Sequence, residues 1–136
     1  MKLSHDDYYR GYVLGFLFSP DLRYVVLTKK SRYDLINGIG GEVISGGSHR
    51  TAIWKHFSEQ AGWDYDDWQY LKSIPANDGL PCHIWYGVGE LHSCIPPSPR
   101  EVGYAVTDVV INNTMWRSIM DHDVPYLVKE CLEKLK

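Results

Sequence analysis

The sequence lacks several features that mark particular classes of protein. No segment of its 136 residues is apolar over the length needed to span a bilayer, and residues 1–7 are polar, unlike a signal peptide. No tract is rich in lysine and arginine, and the net charge of −3 argues against a nucleic-acid surface. The three cysteines, Cys82, Cys94 and Cys131, are odd in number and widely spaced, which suits a reducing cytoplasm better than a disulfide framework. A cytoplasmic protein with neither a membrane nor a nucleic-acid partner is therefore expected.

The residues that are present indicate one globular domain over residues 1–136, long enough to bury a real core. Runs rich in aromatic and β-branched residues predict strands at residues 8–18, 24–28, 68–74, 82–91 and 104–106. Turns are predicted at residues 19–21 and 77–79, and irregular loops at residues 29–33 and 95–99. Pro125 suits the first turn of a helix, and a C-terminal helix is predicted over residues 125–135.

A central helix is predicted over His49–Ala61. Ser48 is a good N-cap residue, and Gly62 fits the position that ends a helix. An apolar stripe recurs every four residues, at Ile53, Phe57 and Ala61. This helix should therefore be amphipathic and pack on the sheet.

A glycine-rich segment precedes this helix. Its glycines allow tight turns and close approach of the backbone, and a loop over residues 38–48 is predicted. Loop and helix together resemble the Nudix box, whose pattern is G-x5-E-x7-R-E-U-x-E-E-x-G-U, with U an aliphatic or aromatic residue. The pattern fits without a gap, and the residues that match it are Gly41, Phe57, Glu59, Gly62 and Trp63. Other residues stand at the remaining defined positions, namely Gly47, Lys55, His56 and Gln60.

The resemblance implies a Nudix-type α/β/α sandwich with a mixed β-sheet, and a nucleotide pyrophosphohydrolase that uses Mg²⁺ or Mn²⁺. Carboxylates at i, i+3 and i+4 project from one face of a helix, where they can hold divalent cations. In this chain the corresponding residues are His56, Glu59 and Gln60, which carry one formal negative charge in place of three. We therefore expect metal binding in the free protein to be weak or absent.

The resemblance also implies roles for individual residues. The candidate catalytic residues are Lys55, His56, Glu59, Gln60 and Glu101, of which Glu101 stands where the family often places an additional glutamate. The candidate metal ligands are Glu59, His56, Glu101 and the carbonyl of Gly41. A plainer interpretation of the helix face is a solvated surface with a Lys55–Glu59 ion pair.

Residues 37–41 are similar to the entry segment of nucleoside-triphosphate pyrophosphohydrolases, including those that remove oxidised purines. Asn37 is the candidate for contacting the base, because an amide offers both a donor and an acceptor. An asparagine before glycine is at least as often a turn residue. The other candidate substrate-binding residues are Tyr33, Gly40, Gly41 and Trp116.

Three functions remain open from the sequence. The first is an atypical hydrolase acting on a nucleoside diphosphate linked to another group. The second is an inactive Nudix-fold module that binds a nucleotide derivative or a protein, and the third is an interaction subunit, for example a homodimer. A zinc site built from Cys82, His83, His92 and Cys94 is disfavoured, because the spacing fits no structural zinc pattern and adjacent strand residues point to opposite faces.

Overall fold

The computed structural model describes residues 11–31, 34–43, 47–91, 102–112 and 123–136. Its strands are β1 (Tyr12–Phe18), β2 (Tyr24–Ser31), β3 (Asp34–Asn37), β4 (Ile39–Glu42), β5 (Gln69–Pro75), β6 (Pro81–Val88) and β7 (Val102–Val106). Its helices are α1 (His49–Ala61), α2 (Thr107–Asn112) and α3 (Val124–Leu135). None of the described helices is both long and apolar enough to cross a membrane.

Strand β1 lies at the centre of the sheet. It runs parallel to β6 along its whole length and antiparallel to β4, with Tyr12 opposite Glu42 and Leu14 opposite Gly40. Strand β2 meets the end of β1 and continues alongside β3 and β7, whereas β5 pairs with the outer side of β6. The sheet is therefore mixed, as predicted.

Helices cover both faces of the sheet. Alternate residues of β1 point to opposite sides, so its side chains contribute to both cores. Phe16 and Phe18 pack in the core under α2 and α3, whereas Val13 and Leu17 pack in the core under α1. All four side chains are buried. The predicted α/β/α sandwich is thus confirmed.

Helix α1 begins and ends where the sequence predicts. The Ser48 hydroxyl accepts a hydrogen bond from the Thr51 N–H, and Gly62 ends the helix with a φ of 89°. The helix lies close to β1, since a Cβ added to Gly15 would be 2.5 Å from Ile53 Cδ1. This close contact fixes the distance between the helix and the strands that flank the candidate site.

Several predicted boundaries were wrong. Residues 29–31 belong to β2 and not to a loop, because β3 pairs with them, and residues 39–42 of the predicted glycine loop form β4. Strand β6 ends at Val88, before the predicted residue 91, and helix α2 was not predicted. Strand pairing decided the first two cases, with the neighbouring strand β3 for residues 29–31 and with β1 for residues 39–42, and propensity alone does not reveal such pairing. The described part of β1 begins at Tyr12, and the predicted loop at 95–99 lies outside the described residues.

Candidate functional site

Two side chains of α1 form hydrogen bonds to the backbone of strand β4. The Gln60 Nε2 donates to the Gly40 carbonyl oxygen at 2.9 Å, and the His56 Nε2 lies 2.8 Å from the Glu42 carbonyl oxygen. A carbonyl oxygen can only accept, so the His56 ring carries a proton on Nε2. Gln60 is only 6% exposed. Two of the four positions where the Nudix pattern has glutamates thus present N–H donors to backbone carbonyls.

The neighbouring glycines make this contact possible. A Cβ added to Gly40 would lie 1.9 Å from the Val13 carbonyl oxygen, and one added to Gly41 would lie 2.6 Å from His56 Cε1. Gly40 therefore allows β4 to approach β1, and Gly41 leaves room for the imidazole ring. Both roles come from packing, and they explain the glycines without a ligand.

The remaining residues on this helix face point to solvent. Lys55 and Glu59 are both exposed, and no ion pair joins them in this described part of the chain. The exposure of both residues agrees with the solvated surface of the plainer interpretation, but its Lys55–Glu59 ion pair is not formed in the described ranges. Glu59 is the one carboxylate that α1 presents beside His56.

The described donor set does not fit a magnesium ion. Hard divalent cations need several anionic or carbonyl oxygens at close range, and Glu59 is the only carboxylate on the candidate face of α1. His56 and Gln60 direct N–H groups at the nearby carbonyl oxygens of Glu42 and Gly40. Within the described ranges no three His, Cys, Asp or Glu side chains cluster as metal ligands would. Glu101 lies outside the described residues.

The side-chain oxygen of Asn37 is hydrogen-bonded within the protein. Its Oδ1 accepts from the Gly38 N–H at 2.9 Å, and its backbone carbonyl accepts from the Thr28 hydroxyl at 3.2 Å. The side chain is half-buried, so its NH₂ group is the part that a base could contact. Tyr33 and Trp116, the aromatic candidates, lie outside the described residues.

No family model and no curated protein matches the sequence. Solved structures do match the fold. The Nudix domain of Shewanella oneidensis NrtR, complexed with ADP ribose, superposes with a TM-score of 0.69 at 15% identity, covering 92% of this chain and 87% of that one. A Nudix-family hydrolase from Clostridium perfringens gives 0.68 at 10% identity, covering 92% and 97%. The chain has a Nudix fold. MutT from Aliivibrio salmonicida or Vibrio cholerae is similar as well, with a TM-score of 0.65 at 18% identity over 88% of this chain and 96% of that chain.

The Nudix fold agrees with the resemblance seen in residues 41–63. At these identities the likeness concerns the fold, and the residues of the box determine which chemistry the site supports. The directions of the His56 and Gln60 N–H groups were not predicted, because the pattern locates a side chain without showing what it contacts. Their signal in the sequence was the exchange of glutamate for residues that can donate.

The disfavoured zinc site is not formed in the described part of the chain. Cys82 packs with the core under α2 and α3, whereas His83 stacks on His49 at the start of α1. The two side chains thus point to opposite faces of β6, as predicted, and His92 and Cys94 lie outside the described residues. Burial raises the pKa of the Cys131 thiol to about 12, so this cysteine is unreactive.

The start of α1 carries an aromatic group that the sequence did not predict. The Trp85 indole N–H donates to His49 Nδ1 at 3.1 Å, and the His49 and His83 rings stack with centroids 4.0 Å apart. Because the indole can only donate, Nδ1 of His49 is unprotonated, and the neutral ring carries its proton on Nε2. Burial, the nearby His83 and then Arg50 lower the pKa of His49 to about 4.

This pKa shift predicts that the protein loses stability in acid. His49 has a pKa of 6.5 when unfolded and about 4 when folded, so the unfolded state binds more protons between these values. The stabilisation is complete above pH 6.5 and is lost as the pH falls towards 4. Since the ring is half-buried, solvent screens its charge, and we expect the free energy of unfolding to fall by about 1 kcal/mol over this range. Urea denaturation across this range should show the loss.

The control for this prediction is His49→Gln. A glutamine Oε1 can still accept from Trp85, and glutamine does not titrate. The free energy of unfolding of the variant should therefore vary less with pH than that of the wild type. Parallel profiles for the two proteins would show that His49 does not contribute to the acid sensitivity.

Proposed function

We propose that this protein binds a nucleoside diphosphate derivative of the ADP-ribose class, and that it does so without requiring a metal ion or hydrolysing the ligand. The observation that carries the proposal is the pair of hydrogen bonds from α1 to β4. These are Gln60 Nε2 to the Gly40 carbonyl and His56 Nε2 to the Glu42 carbonyl.

The physical argument concerns what faces the carbonyl oxygens of β4. A glutamate at position 56 or 60 would place a negative oxygen beside a carbonyl oxygen, and a cation could then bridge the two. His56 and Gln60 instead satisfy these carbonyls with N–H groups, so the fold closes without a cation. Losing the anionic ligands removes most of the stabilisation that a metal gives to developing charge during hydrolysis.

Two further observations support a ligand with phosphates. The candidate face of α1 carries a single carboxylate, Glu59, so it repels a diphosphate less than three carboxylates would in the absence of metal. The NH₂ group of Asn37 is placed as a donor by the bond between Oδ1 and Gly38. The similar NrtR domain was solved with ADP ribose, which supports this class of ligand here.

One observation favours a slow hydrolase as the second candidate. Glu59 is exposed, and it retains its charge at a position where the Nudix pattern has a glutamate. Together with Glu101 and a borderline metal held by His56, it would give a reduced catalytic centre. This candidate requires turnover that depends on Mn²⁺ or Mg²⁺ and that is abolished by Glu59→Gln.

The test is calorimetric titration of ADP-ribose in chelator, with variants that separate the two candidates. Asn37→Ala should weaken binding about tenfold, because it removes one hydrogen bond to the ligand. Asn37→Asp is the matched control: it retains the Oδ1 that accepts from Gly38 but loses the NH₂ donor, so it should also bind weakly while folding normally. Glu59→Gln should bind as well as the wild type or slightly better.

Other outcomes would assign the protein differently. Metal-dependent release of AMP that Glu59→Gln abolishes would establish the hydrolase. If ADP-ribose and nucleoside triphosphates bind neither in chelator nor with metal, the interaction-subunit hypothesis is left. Measuring the oligomeric state of the same samples would then test whether the subunit forms a homodimer.

A further inference from the structure

A second concave site lies at the start of α1, over strands β5 and β6. It is a groove of about 930 Å³ between the first turn of the helix and the β5–β6 hairpin, whose turn contributes Gly79 and Leu80. His56 lies about two turns, or roughly 10 Å, further along α1 and faces β4 instead. The groove is therefore separate from the face considered in the proposed function.

One side chain gives the groove its charge. Among the described residues that line the groove, Arg50 is the only one of the four types that carry a full charge, namely Asp, Glu, Lys and Arg. Its guanidinium lies 4.8 Å from the centroid of the Trp85 ring, and its Nη1 donates to the Trp68 carbonyl at 3.4 Å. No carboxylate in the described ranges forms an ion pair with it. A cation is thus held in place at the wall of the groove without an acidic partner in this part of the chain.

The position of this cation is unfavourable for the helix itself. The first turn of a helix favours acidic side chains, and α1 has none there but begins with His49 and Arg50. Proteins depart from such local preferences at functional sites. An anion bound at Arg50 would compensate the charge.

The aromatic wall of the groove is fixed by hydrogen bonds. Tyr70 is 47% exposed, and its hydroxyl lies 2.6 Å from the Ser73 hydroxyl, which in turn lies 2.6 Å from His83 Nδ1. Its ring also contacts His49 and Trp85, with centroids 5.4 Å away in each case. An exposed aromatic ring that is held rigidly can receive a flat ligand at a low cost in conformational entropy.

We propose that this groove binds a small planar organic anion, with its ring against Tyr70 and its anionic group at Arg50. A phosphate monoester on a heteroaromatic nucleoside and an aromatic carboxylate share this chemistry. Arginine recognises both anions through paired N–H groups.

Nitrogen-15 NMR can locate the bound ligand, because each site contains a side-chain N–H group. The Trp85 indole signal, assigned with Trp85→Phe, reports on the groove, and the Gln60 side-chain amide reports on the α1–β4 face. The probes are AMP, indole-3-acetate, adenosine and inorganic phosphate. We expect AMP or indole-3-acetate to shift the Trp85 signal at concentrations at least tenfold below those needed for adenosine or phosphate. A response to only one of the two active probes identifies the anionic group that the groove accepts.

Charge-matched variants complete the test. Arg50→Met should weaken binding at the Trp85 signal about tenfold, because the cation is lost while the aliphatic length remains. Lys129→Met removes the same charge from the exposed surface of α3, on the other side of the sheet, and should leave binding unchanged. The proposal is overturned if no probe shifts the Trp85 signal at millimolar concentration, or if Arg50→Met binds as the wild type does. If the Trp85 signal shifts and the Gln60 amide signal does not, the result bears on the proposed function and leaves the proposal for the groove standing.

Discussion

Replacing His56 and Gln60 together by glutamate should make the stability of the protein depend on a divalent cation. Gln60 is buried, and its Nε2 satisfies the Gly40 carbonyl. A glutamate there removes the donor and buries a charge beside a carbonyl oxygen, which should lower the free energy of unfolding by about 3 kcal/mol in chelator. A divalent cation that binds the new carboxylates should restore about 2.7 kcal/mol at a hundred times its Kd.

Thermal unfolding in chelator and with added Mg²⁺ or Mn²⁺ measures both effects. The glutamate variant should lose roughly 10 °C of Tm in chelator and recover most of it with metal. The matched control is His56→Ala with Gln60→Ala, which removes the same N–H donors without adding carboxylates. It should be destabilised in chelator and show no recovery with metal.

The same glutamate variant should gain metal-dependent turnover of nucleoside diphosphate derivatives, since two of the anionic ligands are restored. An unchanged Tm of the glutamate variant in chelator would mean that the α1–β4 hydrogen bonds do not stabilise the protein. Recovery by metal in the alanine control would mean that the ion binds elsewhere.

Gly40→Ala should prevent folding or lower the free energy of unfolding by more than about 3 kcal/mol. A Cβ at this position would lie 1.9 Å from the Val13 carbonyl oxygen, which is backbone and cannot move without separating β4 from β1. The same displacement would break the Gln60 hydrogen bond to the Gly40 carbonyl. Circular dichroism and urea denaturation of the purified variant would measure the loss.

Gly79→Ala is the control for this prediction. Gly79 has a φ of 85° in the β5–β6 turn, and an added Cβ there meets no atom within 4 Å. We expect only the cost of backbone strain, about 1 kcal/mol. If Gly40→Ala were no worse than Gly79→Ala, the close packing of β4 on β1 would not be a requirement of this fold, and Gly40 would be available for a role in binding.

The parts of the fold that depend on local sequence were predicted well. Helix α1 was placed at both ends, because Ser48 and Gly62 act through hydrogen bonds and dihedral angles within a few residues. Strand β4 was predicted as a loop, since glycines have low strand propensity and the pairing partner β1 lies more than twenty residues away. The backbone partner, and not the segment itself, determines that structure.

In the candidate site, too, local spacing was predicted and contacts between segments were not. The spacing of the Nudix pattern identified His56, Glu59 and Gln60 as one face of a helix, but it did not show that two of them donate to β4 carbonyls. The groove at Arg50 was not predicted, because Tyr70 and Trp85 reach it from separate strands. Contacts between distant segments carry no local signal in a single sequence.

The most direct test of the central claim is the affinity of the wild-type protein for ADP-ribose, measured by calorimetry in chelator and again with Mg²⁺. The proposed function has the hydrogen bonds of His56 and Gln60 take the place of a bridging cation. On that proposal the two Kd values should agree within about threefold, and ADP-ribose should be recovered intact. Binding that disappears in chelator, or cleavage of ADP-ribose once Mg²⁺ is added, would contradict the account.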